Sequence, residues 1–142
     1  MTTFMIMPFD QLGNEDRGLV LMEDIYHSIY HKMEIVGILS VSRYDIIKND
    51  PLLPLYVDRL APDRYAIAHN RELDGELVPD PDMEIRVDQS GKTAEPMTFQ
   101  DERGRKVVYP EPGRVNLAVK NELVAFLDQW LTRLVNDGYR RD

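Results

Sequence analysis

The stretch from Ala66 to Phe99, AIAHNRELDGELVPDPDMEIRVDQSGKTAEPMTF, constrains this chain more than any other part. Apolar and polar residues alternate there in short runs. Each run stops at residues that favour a reversal: Asp74-Gly75, Pro79 with Pro81, and Ser90-Gly91. The same period of two begins at Leu55. It predicts five short strands, at Leu55–Leu60, Arg64–Asn70, Met83–Asp88, Ala94–Gln100 and Arg105–Tyr109. Ala61-Pro62-Asp63 and Arg103-Gly104 supply the remaining turns. Links this short join antiparallel neighbours, because a parallel crossover takes about a dozen residues or more. The expected sheet is a meander.

A helical period governs the flanks. Met22, Ile25, Tyr26, Ile29, Met33 and Val36 recur at steps of three and four and mark one apolar face. Asn14 is placed to cap this helix, Glu15 and Asp16 suit its positive end, and Gly37 weakens it. Residues 1–13 read as irregular. Residues 38–54 are ambiguous, since Ile38, Leu39, Val41, Ile46 and Ile47 are apolar but Pro51 and Pro54 interrupt them. After Pro110, Pro112 and Gly113, Asn116 is placed to cap a second helix. Its stripe is Val119, Leu123, Phe126, Leu127, Trp130, Leu131 and Leu134, and Gly138 sits where a left-handed C-cap belongs. At about 1.5 Å per residue that helix is roughly 30 Å long, enough to cross a sheet. The expected fold is therefore α+β over 1–142 as one domain. A single antiparallel meander of about five strands is covered on one face by an N-terminal and a C-terminal helix.

Composition removes several classes of function. With 43% hydrophobic residues in 142, the chain has enough apolar material for one core. It has no cysteine, so disulfides, thiolate metal sites and a cysteine nucleophile are excluded, and a cytoplasmic setting is expected. No apolar run reaches the roughly 18 residues that span a bilayer, and the opening MTTFMIMPFD lacks the pattern of a secretory signal. A net charge of −8 argues against general nucleic-acid binding, which works by neutralising phosphates with Lys and Arg. The basic clusters at 103–106 and 140–141 read as a hairpin tip and a solvated tail.

Five segments carry a resemblance: LPLYVDRLAPDRYAIAH, DGELVPDPDMEIRVD, AEPMTFQ, VYPEPGRVN and LVAFLDQWLTRLVNDGY. They resemble an uncharacterised family of small bacterial proteins, often carried on mobile elements and distantly similar to the YqiB-like family of unknown function. The similarity runs from Leu53 to Tyr139. Its most specific marks are Asp80-Pro81-Asp82-Met83 and the Phe-Leu-x-Gln-Trp-Leu segment at 126–131. Asn70 stands where relatives often carry an aromatic residue, and Asp74-Gly75 where they carry Asn-Gly. The resemblance supports the fold and implies no reaction.

Candidate chemistry is sparse. His27 and His31 are four apart on a helix, as metal ligands would be, with Asp24 and Glu34 three residues to either side. Ser28 occupies the position of the glutamate in a His-Glu-x-x-His motif. At 100° per residue both histidines fall opposite the Ile29–Met33 stripe, and so toward water. The second candidate is His69 with Glu95. Strand alternation places His69 with Tyr65 and Ile67, and Glu95 with Met97 and Phe99, on one buried face. Buried ionisable groups need partners, so a His69–Glu95 contact is predicted. The third is the acid-proline cluster, whose Asp80, Asp82 and Glu84 offer oxygen ligands to a divalent cation. Against that, Glu84 and Arg86 alternate outward from Met83, Ile85 and Val87, and the prolines serve a strand entry. Trp130 reads as core packing, and Tyr26 with Tyr30 as an interface edge.

The leading expectation is thus a non-enzymatic accessory or protein-interaction module that recruits no cofactor. It binds an unknown protein partner or itself through the free edges of the sheet. One alternative is a metal-dependent hydrolase using His69, Glu95 and the acids at 80, 82 and 84. Another is an acidic mimic of DNA, for which −8 with 17 interspersed bases is modest.

Overall fold

In the computed structural model the backbone is described for residues 14–142, and side chains for residues 25–142 except Pro79. The expected irregular segment at 1–13 and the capping side chain of Asn14 lie outside the described residues. Helix α1 spans Asn14–Val36 and points Ile29, Met33 and Val36 into the core, each fully buried. It stops because Gly37 turns left-handed at φ 93°, with its N–H on the Met33 carbonyl at 3.1 Å. Only glycine fits there twice over. A Cβ on Gly37 would lie 2.6 Å from Cβ of Arg141, which passes close by near the C-terminal end.

A 3-10 turn at Ile38–Ser40 leads into six strands: β1 Tyr44–Asn49, β2 Leu52–Ala61, β3 Arg64–Leu73, β4 Glu76–Asp88, β5 Thr93–Asp101 and β6 Gly104–Val107. They pair in chain order, every pair antiparallel. The meander is as expected, with one more strand than the five predicted. The extra strand is β1, taken from the ambiguous residues 38–54. Pro54 does not interrupt β2 because it lies where the β1–β2 register shifts, between Ile47 and Asn49. Prolines are tolerated at such irregularities, where a ladder hydrogen bond is already missing. Pro79 and Pro81, expected to separate two strands, instead lie within β4. The turn is only Asp74-Gly75, at φ 52° and 83°, the doubly left-handed hairpin that suits twisted strands.

Helix α2, Leu117–Asp137, begins as expected. The Asn116 side chain accepts the Val119 N–H at 3.2 Å, and Gly138 closes the helix at φ 89°. Both helices pack against β5 and against each other. Ile47, Leu55, Val57, Tyr65, Ile67, Met83, Ile85 and Val87 from the sheet meet Leu123, Leu127, Trp130, Leu131 and Leu134 from α2 in one continuous core. After α2, Arg141 returns to the far edge, its N–H on the Val36 carbonyl at 2.8 Å and its Nε on Asp45 at 2.6 Å. No helix among the described residues is long and apolar enough to cross a membrane.

Candidate functional site

Strand parity decides what each candidate can touch. Tyr65 and Ile67 are buried toward the helices, and His69 follows them to the same side. Its Nδ1 donates to the Pro54 carbonyl oxygen at 3.0 Å. Its ring lies 5.5 Å from Trp130 and 5.9 Å from Tyr139, tilted against both. Burial pushes the imidazole below its ordinary value, against the smaller opposing pull of the Pro54 carbonyl and the Asp80 charge. His69 is a packing histidine held in one tautomer.

That environment has a measurable consequence. A depressed folded pKa means the unfolded chain binds the extra proton first. Stability is complete above about pH 6.5 and declines as the pH falls from there through the folded value. Urea midpoints measured from pH 8 to 5 should therefore fall on the acid side in the parent and flatten in His69→Gln. Parallel curves for the two proteins would contradict this burial.

The predicted His69–Glu95 contact does not form. The register of β4 and β5 shifts so that Glu84 faces Thr98 while Ile85 faces Pro96, leaving Met97 as an extra residue. Ala94 and Pro96 are buried toward the helices, so Glu95 turns to the opposite side. The two residues also belong to different ends of the sheet. His69 lies level with residues 80 and 81 of β4 and Glu95 opposite Arg86, roughly 18 Å apart along the strand. Pro96 in mid-strand was the sequence signal of the bulge.

Glu95 has other partners. It pairs with Arg86, accepts the Tyr109 hydroxyl at 3.0 Å, and lies 3.4 Å from the Lys120 ammonium, which itself donates to Tyr109 at 3.2 Å. Glu95 lies beyond the part of β5 that pairs with β6, and there Tyr109 and Lys120, in the first turn of α2, reach it. Burial alone would raise the Glu95 carboxyl, but Arg86, Lys120 and Tyr109 together hold it below the usual range. Burial would likewise lower Lys120, but Tyr109, Tyr26 and Glu95 outweigh it and leave the ammonium above its ordinary value. The network ties sheet to helix. An open cleft of about 560 Å³ lies beside it, lined in part by Tyr26, Asp63, Arg86 and Asp88.

The acid-proline cluster does not converge either. Asp80 is bound by Arg71 at 2.9 Å, and Arg71 also reaches Glu102. Glu84 accepts Thr98 Oγ1 at 3.2 Å and Arg105 at 3.5 Å. Asp82 stands on the same face as Glu84, opposite to His69. His27 is exposed with Nδ1 donating to the Lys92 carbonyl at 3.0 Å, and His31 is exposed beside Glu34 at 3.5 Å. Among the described residues, no three of His, Asp and Glu gather closely enough to hold a metal ion. The metal-dependent constellation of His69, Glu95, Asp80, Asp82 and Glu84 is thus dispersed over two faces and two ends of the sheet.

What remains is the face of the sheet away from the helices. Two rows of side chains cross all six strands there. One runs Tyr44, Asp58, Ala66, Glu84, Thr98, Val107, and the next Ile46, Tyr56, Ala68, Asp82, Gln100, Arg105. Ala66 and Ala68 leave a depression of about 270 Å³ at the centre, bordered by Tyr44, Tyr56, Asp58, Asn70 and Asp82. The tyrosines, Asp58 and the alanines were not among the sequence candidates. Their signal was present in the alternation of LYVD and YAIA, where the non-core positions carry rings, an acid and two of the smallest side chains.

No curated protein and no solved structure matches the chain. The expectation of an uncharacterised family is met by another comparison. The model of the domain of unknown function DUF6908 matches residues 24–140, and the chain belongs to that family.

Proposed function

We propose that this chain is a non-enzymatic binding module, acting as one domain in the cytoplasm, whose open sheet face docks a protein partner. The observation that carries the reading is the pair of rows across that face. An exposed tyrosine (Tyr44), a half-buried one (Tyr56), and the alanines Ala66 and Ala68 stand there among carboxylates, and no described element lies over them. A sheet face meant only for solvent is served by long charged side chains; alanines at its centre leave backbone and ring surface open to contact. Of the candidate groups, Asp80, Glu84, Glu95, His27, His31 and His69 are meanwhile occupied in structural contacts, which supports binding over catalysis.

A photo-crosslinking amino acid tests this directly. Tyr56→p-benzoylphenylalanine, irradiated in the native cell, should give a discrete adduct that Ala68→Arg abolishes. The same group placed at exposed Gln129 on α2 should give none. Equal adduct patterns from the two positions, or none from position 56, would remove the open face as the docking surface.

A further inference from the structure

We propose that the depression over Ala66 and Ala68 seats an arginine side chain from a basic segment of the partner, a proposal that rests on the open face being the docking surface. At about 270 Å³ the depression lies below the roughly 300–1,000 Å³ of sites for drug-sized ligands, and suits a single long side chain. Its border is anionic and aromatic at once. Asp58 on β2 and Asp82 on β4 flank the floor from opposite sides of β3, their Cα atoms roughly 12 Å apart by strand geometry. A planar guanidinium can approach both carboxylates while lying on a tyrosine ring.

Neither carboxylate has a close cationic partner within the chain's described residues. Among the described residues Asp58 and Asp82 form no ion pair, whereas Glu84 and Asp80 both do. Arg105, a cation whose charge reaches Asp82, is engaged by Glu84. Asp82 is raised above its ordinary value by burial first, then by the charges of Glu84 and Asp58, which together outweigh the opposing pull of Arg105. Tyr44 is also raised, by burial and by the nearby Asp58 and Tyr56. Carboxylates crowded in this way, Asp82 half-buried and Asp58 exposed, are relieved by an external cation. The chain's charge of −8 also favours the approach of a basic partner.

The probe is a blocked peptide alternating arginine and glycine, titrated into nitrogen-labelled protein and followed by NMR. Saturable shifts of the Ala66 and Ala68 amides are expected. Asp82→Asn and Asp58→Asn should each weaken binding by roughly tenfold or more. The combined Glu111→Gln and Asp142→Asn control, which removes two exposed charges elsewhere, should leave it near the parent value. Ala68→Leu fills the floor without altering charge and should also abolish the shifts, which keeps the test sound if one Asp variant fails to fold. A lysine peptide should bind more weakly and a glutamate peptide not at all.

Equal weakening in the control would reduce the effect to general charge attraction and overturn the proposal. So would shifts confined to other surfaces, or a homodimer in light scattering that the same substitutions dissolve. If the arginine peptide fails while position 56 still crosslinks, the docking face stands and the cation seat alone falls.

Discussion

Trp130→Ala should destabilise the protein by about 4 kcal/mol, within the range for deleting a buried aromatic residue. Trp130 is 6% exposed and closes the core over His69, with Phe126 as a second aromatic neighbour at 6.2 Å. Its removal takes away transfer energy and the tilted ring contacts together, and leaves a void that α2 cannot collapse onto without shifting Leu127 and Leu134. Since a domain of this size has roughly 5–15 kcal/mol in total, that loss is a large share of it. The chain has a single tryptophan, so unfolding must be followed by far-ultraviolet circular dichroism. Trp130→Phe should recover more than half of the deficit. A loss under about 1 kcal/mol would mean that α2 does not dock over this end of the sheet.

Glu95→Ala should be the largest electrostatic loss, about 2 kcal/mol. Breaking a fully buried pair costs about 3–5 kcal/mol; the discount reflects Arg86, whose side chain keeps 45% exposure. The cost comes from what is left behind: Lys120, 20% exposed, and Arg86 would share the edge with no anion between them. Lys120→Met combined with Glu95→Gln should therefore be more stable than Glu95→Gln alone, and a calorimetric double-mutant cycle measures that coupling. The pH dependence has a definite sign. Glu95 is lowered on folding, so its contribution is present above the ordinary carboxylate value and lost as the pH falls through the lower folded one. The upper limit of this window lies on the acid side of the upper limit set by His69, so the His69 contribution is the first to fade as the pH is lowered.

The legible parts of the fold were those where local chemistry and packing agree. Asn116 and Gly138 announce the ends of α2, Asp74-Gly75 announces a hairpin, and Met83, Ile85 and Val87 announce one face of β4. Errors arose where a proline met a strand. Pro54 reads as an interruption and the strand predicted at Ala94–Gln100 runs straight through Pro96, yet both prolines sit at register shifts, and the second reverses the parity that places Glu95 beside His69. Pairing information of that kind is nonlocal: it depends on which residue stands across the ladder, and one strand's sequence does not carry it. The candidate site was hidden for another reason. The proposed docking surface draws its shape and charge from four strands, through Tyr44, Tyr56, Asp58, Ala66, Ala68 and Asp82, and it leaves no spacing motif in any of them.

The identity of strand order and chain order bears on how the molecule assembles. Each hairpin can zip onto the last by closing a connection of a few residues, at little entropic expense. Only α1 has to wait, since its seat on β5 and α2 lies across the whole intervening sheet. The kinetic bottleneck then belongs to the docking of that first helix. Substitutions at Ile29 or Met33 should accelerate unfolding or slow refolding according to how far it has settled at the barrier top.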